Sequence, residues 1–261
     1  MEIFVIDITI TKNRFSRKGY MFRKIIKKII YKERASSESY INYLRKKGID
    51  IGEDCIFYSP KDSFVDVQYP WMINIGNHVR ITKGVMLITH DFSWSVLKKI
   101  PNENDLKGNI LGASGKITIG NNVFIGINTI ITRNVNIGDN VIIGAGSIVT
   151  KDCSSNGVYA GNPAHYIMSV DEFYIKRKKS QISEAKELVL EYKNQFGKTP
   201  EKKILNEYFM LFEDEKSVQL EQAFIDQMHL CENFEESIEY MRKTNKEFQS
   251  YEEFLEYCLK E

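Results

Sequence analysis

Aliphatic residues recur every six positions along the middle of the chain, and glycine or threonine follows each of them. The clearest run comprises Ile119, Ile125, Ile131, Ile137, Ile143 and Val149. A second register, two residues earlier, comprises Ile117, Val123, Thr129, Val135, Val141 and Ser147. Ile75, Ile81 and Leu87 keep the same period, and Ile51 lies twenty-four residues before Ile75, which we interpret as four repeats.

This period predicts a left-handed parallel β-helix in residues 49–168, within a mainly β fold. Three hexapeptides form one triangular coil, and the chain returns about 4.8 Å further along the axis after each coil. Runs such as Gly120-Asn121-Asn122 and Gly138-Asp139-Asn140 suit the corners, because these residue types tolerate left-handed backbone angles. An α/β fold is disfavoured, since a repeat of six residues is too short for a crossover helix.

The repeat is interrupted between Leu87 and Ile119, which are thirty-two residues apart and therefore out of phase. The intervening segment begins Thr89-His90-Asp91-Phe92-Ser93-Trp94 and contains further loop-forming residues, namely Pro101, Gly108 and Gly112. We predict a loop insertion near residues 89–116. Because functional side chains concentrate on loops held by a rigid scaffold, the histidine at the start of this loop becomes a candidate functional residue.

Helical spacing replaces the six-residue period at both ends. Residues 20–47 predict a basic amphipathic helix followed by a short second helix, and we interpret residues 1–48 as a basic helical cap over the first coil. Peripheral contact with an anionic membrane is the alternative role. Residues 169–261 are predicted to form a helical C-terminal extension, with a long helix from about Val170 to Phe196 and about four shorter helices after it. The pattern does not decide the role of this extension.

Composition narrows the class of protein without indicating a partner. The net charge is only +1, so nothing points to nucleic acid. The four cysteines (Cys55, Cys153, Cys231 and Cys258) have no CxxC spacing, which argues against a disulfide framework or a zinc site and favours a reducing compartment. No apolar run approaches the ~20 residues of a membrane span, and residues 1–30 lack the pattern of a signal peptide. We therefore expect a cytoplasmic protein.

Several segments resemble the hexapeptide-repeat acyltransferases, in particular the sugar O-acetyltransferase branch with maltose and galactoside acetyltransferases and polysaccharide-modifying relatives. The resemblance covers roughly residues 45–168. It is carried by Ile88-Thr89-His90-Asp91, Ile119–Gly126, Ile143–Asp152 and Gly161-Asn162-Pro163-Ala164. It implies a left-handed β-helix, transfer of acetyl from acetyl-CoA as co-substrate to a sugar hydroxyl, and a homotrimer with active sites between neighbouring subunits.

The resemblance also implies roles for individual residues. His90 matches the general base, which accepts the proton of the acceptor hydroxyl as its oxygen attacks the thioester. Asp91 either orients that imidazole or binds the acceptor, and Trp94 either contacts the sugar ring or packs the loop. Cofactor-binding positions are also implied. Ile127 and Ala145 match positions near the pantetheine arm of acetyl-CoA, and Thr150 and Lys151 match positions near its nucleotide end. No metal is expected.

Two positions depart from the family's pattern. Phe124 stands where many relatives have tryptophan, and His165 stands where they usually have lysine or arginine. The second departure gives Lys151 more weight as a contact of the cofactor's phosphates. We recognise no match for the family's acceptor-binding Asn and Asp in residues 50–70, so the acceptor itself does not transfer.

The leading hypothesis is an O-acetyltransferase acting on a surface polysaccharide or glycan precursor. N-acetylation of an amino sugar and O-acetylation of an antibiotic hydroxyl are alternatives, although residues 1–48 are too short for the nucleotide-sugar-binding domain usual in amino-sugar relatives. A metal-dependent hydratase on this fold requires three histidines, whereas only His78 and His90 lie within the coils. A non-catalytic β-helix scaffold is the remaining class, and it predicts no binding of acetyl-CoA.

Overall fold

The computed structural model describes residues 30–260 and contains two compact units, the first ending at Phe173 and the second beginning at Tyr174. Most of the basic amphipathic helix predicted from residue 20 onward, with its possible membrane contact, lies outside the described residues. Within residues 30–260, no helix combines the length and the apolar character that crossing a membrane requires.

The first unit is a left-handed parallel β-helix, as the six-residue period predicts. Its strands are β1 (Asp50–Ile51), β2 (Ile56–Phe57), β3 (Phe64–Val65), β4 (Ile73–Ile75), β5 (Arg80–Ile81), β6 (Met86–Leu87), β7 (Ile117–Ile119), β8 (Val123–Ile125), β9 (Ile130–Ile131), β10 (Val135–Ile137), β11 (Val141–Ile143), β12 (Ile148–Val149), β13 (Gly157–Gly161) and β14 (Ala164–Ser169). They form sheet A (β1-β4-β7-β10), sheet B (β14-β13-β11-β8-β5-β2) and sheet C (β12-β9-β6-β3). Within these sheets the pairs are parallel, except that β13 and β14 are antiparallel.

The residues of the six-residue pattern point inward and fill the prism between the three sheets. The following side chains are at most 1% exposed: Ile117, Ile119, Ile125, Ile131, Val141 and Ile143. Full burial of one such side chain stabilises the fold by about 1.5–3 kcal/mol. Ile119 pairs with Ile137, and Ile125 pairs with Ile143, so identical side chains stack at a spacing of eighteen residues.

The first coil is longer than the later ones. Ile51 pairs directly with Ile75, so the twenty-four residues between them form one coil, and our interpretation of four repeats is wrong. Part of the extra length lies between Val65 and Ile75, where a 3-10 helix spans Pro70–Met72. Because twenty-four is also a multiple of six, the longer coil keeps the phase of the repeat and is hidden in the sequence.

A short helix, α1 (Ser37–Lys47), covers the first coil. The Ser36 side chain accepts a hydrogen bond from the Ser39 amide at its start, and Gly48 ends it in the left-handed conformation. Tyr40 is fully buried and packs edge-on against Phe57, with ring centroids 5.1 Å apart. The helix therefore shields the apolar end of the prism.

The C-terminal part of the chain is helical. The long helix α2 (Val170–Phe196) has the predicted bounds, and it is followed by α3 (Gln222–Leu230), α4 (Phe234–Lys243) and α5 (Tyr251–Leu259). Within the described residues these are three α-helices, one fewer than the predicted number of about four. Three 3-10 helices precede them, at Lys202–Leu205, Phe209–Leu211 and Ser217–Leu220. The core of the second unit combines aliphatic side chains such as Val189 and Leu211 with the aromatic side chains of Phe209, Phe212, Phe224 and Phe254.

Candidate active site

Each coil turns at three corners, and the corner between sheet C and the following sheet A departs twice from the six-residue period. We call it the C–A corner; it comprises residues 66–72, 88–116, 132–134 and 150–152. The first departure is the longer turn before β4, and the second is the predicted insertion before β7. These two departures lie in consecutive coils, because Val65 pairs with Leu87.

The insertion leaves the β-helix through two backbone hydrogen bonds that hold its ends together. The Asp91 amide donates to the Ala113 carbonyl at 3.0 Å, and the Gly115 amide donates to the Thr89 carbonyl at 2.8 Å. His90 lies between these hydrogen bonds, at the base of the insertion. Its backbone is therefore held by the scaffold.

Asp66, which our sequence reasoning did not identify, contacts His90 directly. Its Oδ2 atom lies 2.5 Å from His90 Nδ1 and accepts a hydrogen bond from the Thr89 hydroxyl at 2.6 Å. Its Oδ1 atom accepts from the Gln68 amide at 3.0 Å. The Asp66 side chain is 4% exposed and that of His90 is 33% exposed, so a buried carboxylate supports a histidine that opens to solvent.

The hydrogen bonds of Asp66 indicate which tautomer His90 adopts. Burial alone would raise the pKa of Asp66, but hydrogen bonds from Thr89, the Gln68 amide and His90 together hold that pKa below its ordinary value. Asp66 is thus ionised near neutral pH, and its carboxylate accepts a hydrogen bond from the protonated Nδ1 of His90. The neutral imidazole then has its basic lone pair on Nε2, as a general base requires.

Two aromatic side chains extend from the histidine along the same corner. Tyr69 contacts His90 edge-on, with ring centroids 5.6 Å apart, and Trp71 contacts Tyr69 edge-on at 5.9 Å. Trp71 is 67% exposed. Neither residue was predicted as part of the site.

Asp91 does not orient His90, so that role, one of two considered for it, is wrong. Its Oδ1 accepts from the hydroxyl and the amide of Ser93, and its Oδ2 accepts from Arg133 Nε at 2.9 Å. The hydrogen bond from the Ser93 hydroxyl, and then that from Arg133, hold the pKa of Asp91 well below its usual range. The orienting position belongs to Asp66, because its carboxylate contacts Nδ1 of the imidazole directly. Acceptor binding by Asp91 stays a prediction.

Trp94 lies on the insertion, within a 3-10 helix that spans Ser93–Ser95. Its half-buried indole packs edge-on against Phe92, with ring centroids 4.7 Å apart. Packing within the insertion therefore accounts for part of its surface, and the predicted contact with the acceptor stays a prediction.

The residues predicted to bind the cofactor lie on two different corners. Thr150 and Lys151 are exposed at the C–A corner, two coils beyond His90 and therefore about 10 Å away along the axis. Ile127 and Ala145 lie on the turns between sheets B and C, which we call the B–C corner. These four residues and His90 thus do not form one cluster on a single prism.

Solved structures of acetyltransferases are similar to part of the chain. One is a maltose O-acetyltransferase from Clostridium difficile 630, which is 27% identical in sequence. The aligned region covers 59% of this chain and 85% of the maltose enzyme, with a TM-score of 0.36. Another is a galactoside acetyltransferase in complex with coenzyme A, which is 28% identical. The aligned region covers 60% of this chain and 85% of the galactoside enzyme, with a TM-score of 0.39.

The sequence comparisons are more specific. A family model described as bacterial transferase hexapeptide (six repeats) matches residues 116–151. Protein CapG of Staphylococcus aureus is 47% identical over 134 residues, which are 51% of this chain and 73% of CapG. Since this identity extends over most of CapG and the repeats match the family model, the chain belongs to the bacterial hexapeptide-repeat transferases.

Proposed function

We propose that the protein is an acetyl-CoA-dependent O-acetyltransferase whose acceptor is a sugar hydroxyl of a surface polysaccharide or glycan precursor. The observation that carries the proposal is the Asp66–His90 pair at the C–A corner. It combines a buried ionised carboxylate with a partly exposed imidazole whose basic nitrogen faces away from that carboxylate. Membership of a transferase family supports group transfer as the chemistry.

His90 acts as the general base in this proposal. Its Nε2 removes the acceptor hydroxyl's proton as the oxygen forms a bond to the acetyl carbonyl carbon. The bond between that carbon and sulfur then breaks, and the imidazolium returns the proton to the departing thiolate. Asp66 stabilises the imidazolium between the two steps. General acid–base catalysis of this kind contributes about 10²–10⁴-fold to the rate.

We assign binding of the donor to Ile127, Ala145, Thr150 and Lys151. Lys151 offers a cation to phosphate, and Ala145 and Gly146 are exposed residues of the B–C corner. Because the B–C and C–A corners are different edges of one prism, a single coil stack does not bring this whole set to His90. Edge-to-edge packing of copies would do so, which supports a homotrimer with sites between subunits.

The outer faces of the sheets also support association. The outward residues of sheet C form an apolar column of Phe64, Met86, Ile130 and Ile148. The outward residues of sheet A form a polar column of Asp50, Asn74, Thr118 and Asn136. Phe64 is 48% exposed and Met86 is 39% exposed in the single chain. An exposed apolar column of this kind marks an interaction surface, and we propose that it contacts a neighbouring subunit.

The test is release of coenzyme A thiol from acetyl-CoA by the full-length chain, with a panel of sugars, nucleotide sugars and lipid-linked glycans as acceptors. We expect acceptor-dependent release, and a fall of about 10²–10⁴-fold for His90→Ala with binding of acetyl-CoA retained. His78→Asn is the matched control, since it removes the other histidine of the coils and asparagine tolerates the positive φ of 55° at this position. Near wild-type transfer by folded His90→Ala would contradict the proposed base.

The same assay separates the alternatives. An ester product is cleaved by mild base whereas an amide is not, so product stability distinguishes O-acetylation from N-acetylation of an amino sugar. Transfer to an antibiotic hydroxyl but to no sugar would change the acceptor class. Absence of acetyl-CoA binding would favour a non-catalytic scaffold. The cytoplasmic location and the membrane contact of the N-terminal segment stay predictions.

A further inference from the structure

The longer turn of the first coil presents a tryptophan beside the Asp66–His90 pair. Val65 and Ile75 are ten residues apart, whereas the corresponding Ile131 and Ile137 are six apart. The extra four residues contain the short helix Pro70–Met72. This added length lies at the C–A corner, one coil before the insertion that carries the histidine.

The backbone of this turn is firmly held while the indole stays open. Pro70 is buried, the Met72 amide donates to the Tyr69 carbonyl at 2.9 Å, and the Ile73 amide donates to the Pro70 carbonyl. Trp71 nevertheless leaves two thirds of its surface exposed. A large aromatic side chain of this size is usually well buried, so its presentation on a rigid turn indicates a binding surface.

Tyr69 connects this indole to the catalytic histidine. Its ring lies edge-on to both neighbours, at 5.9 Å from Trp71 and 5.6 Å from His90. Edge-on contacts of this geometry are favourable for aromatic rings and restrain their orientation. The indole is therefore one ring away from the imidazole.

The chemistry of the indole suits one class of ligand. The face of an aromatic ring carries partial negative charge, and a pyranose presents weakly positive C–H groups on a face while its hydroxyls point to the rim. A sugar ring stacked on Trp71 would bury its C–H face and leave a rim hydroxyl free to reach His90. Trp94 is less suited, since its half-buried indole already packs against Phe92.

We infer that Trp71, supported by Tyr69, is the acceptor platform of the enzyme and binds a pyranose ring by stacking. This inference rests on the proposed sugar O-acetyltransferase function and deepens it by naming the residues that select the acceptor. Trp71 touches the sugar, and Tyr69 is a positioning residue that fixes the indole relative to the imidazole.

The experiment compares Trp71→Ala and Trp71→Phe in the full-length protein, with the sugar of highest rate from the acceptor panel as probe. We expect Trp71→Ala to raise the KM for that sugar about tenfold, with less than a twofold change in the KM for acetyl-CoA. Trp71→Phe should restore most of the loss. Phe196→Ala, which removes an exposed aromatic side chain from α2, is the control and should leave both values unchanged.

A binding measurement gives a second readout. The chain has two tryptophans, so we expect the sugar to change the intrinsic fluorescence of wild type and Trp94→Phe but not of Trp71→Phe. An unchanged sugar KM in Trp71→Ala, or an altered oligomeric state in that variant, would overturn the inference while leaving transfer intact. A wild-type protein that transfers no acetyl would overturn the proposed function as well.

Discussion

Two corners of the same prism use polar side chains in opposite ways. At the turns from sheet A to sheet B, which we call the A–B corner, the side chains bond along the axis. The Asn121 amide donates to Asp139 Oδ1 at 2.6 Å, and Asn140 accepts from Asn122 and donates to Asn156 at 2.8 and 2.9 Å. At the C–A corner, the Asp66 carboxylate instead supports the His90 imidazole. The A–B corner keeps the six-residue period and its side chains stabilise the stack, whereas the longer turns of the C–A corner bring Asp66 and His90 together.

The largest effect that tests this contrast is expected for Asp66→Asn. The amide would present a donor or a neutral oxygen to His90 Nδ1, so the imidazole loses both its preferred tautomer and the charge that stabilises its protonated form. We expect kcat/KM to fall about 10²-fold or more. Steady-state kinetics at neutral pH would measure this loss.

The same variant also tests whether the charge of Asp66 stabilises the fold. The pKa of Asp66 is lowered from its ordinary value of 3.8 in the folded protein. Its ionised form therefore stabilises the fold at pH values above 3.8, and this contribution is lost as the pH falls through the lower pKa of the folded state. The difference in unfolding free energy between wild type and Asp66→Asn should therefore shrink between pH 7 and pH 3. An equal difference at both pH values would show that the carboxylate charge does not contribute.

A smaller effect, on stability alone, is expected for Gly120→Ala at the A–B corner. A Cβ atom there would lie 2.6 Å from Asp139 Oδ1 and 2.7 Å from the Gly138 carbonyl carbon, so the neighbouring coil has to shift. We expect a loss of about 1–3 kcal/mol in urea unfolding. Gly112→Ala in the insertion is the matched control, because its Cβ would meet no atom within 4 Å, and it should lose less than about 0.5 kcal/mol. Equal losses would contradict close stacking at the A–B corner.

The smallest effect is expected for Asn140→Gly. Glycine tolerates the positive φ of 55° at this position, so the variant loses only the side-chain hydrogen bonds to the adjacent coils, about 1 kcal/mol. Asn140→Ala should lose about 1 kcal/mol more, since alanine also has to adopt the left-handed backbone. Thermal unfolding of both variants would separate the two contributions. A more stable Asn140→Gly would show that the ladder does not stabilise the stack.

The regular part of the fold could be predicted because each residue there obeys a local rule. Ile119 and Ile143 are predicted to point inward by the period alone, and Asn122 and Asn140 supply the left-handed corners that the turn requires. The bounds of α2 follow equally from local signals, since Ser169 and Glu172 bond reciprocally at its start and Gly197 follows its end.

The site could be predicted only in part, because its pairing depends on register. His90 stands out in the sequence because it lies where the insertion begins. Asp66 precedes it by twenty-four residues and reaches it only because the first coil is longer than eighteen residues. The available signal was an acidic residue placed directly after the apolar pair Phe64–Val65, at the point where a coil turns. The longer first coil hides this signal, because its twenty-four residues equal the length of four regular repeats.

The insertion at the C–A corner also bears on the entropy of closing a coil. Ile75 and Ile119 pair across 44 residues, whereas Ile119 and Ile137 pair across 18. Closure entropy grows only with the logarithm of length, so the longer closure costs about 0.8 kcal/mol more. That is about the contribution of one buried methylene group. Segments of very different length can therefore occupy this corner at nearly constant folding free energy, so the loop here can change in length while the coils on either side keep their packing.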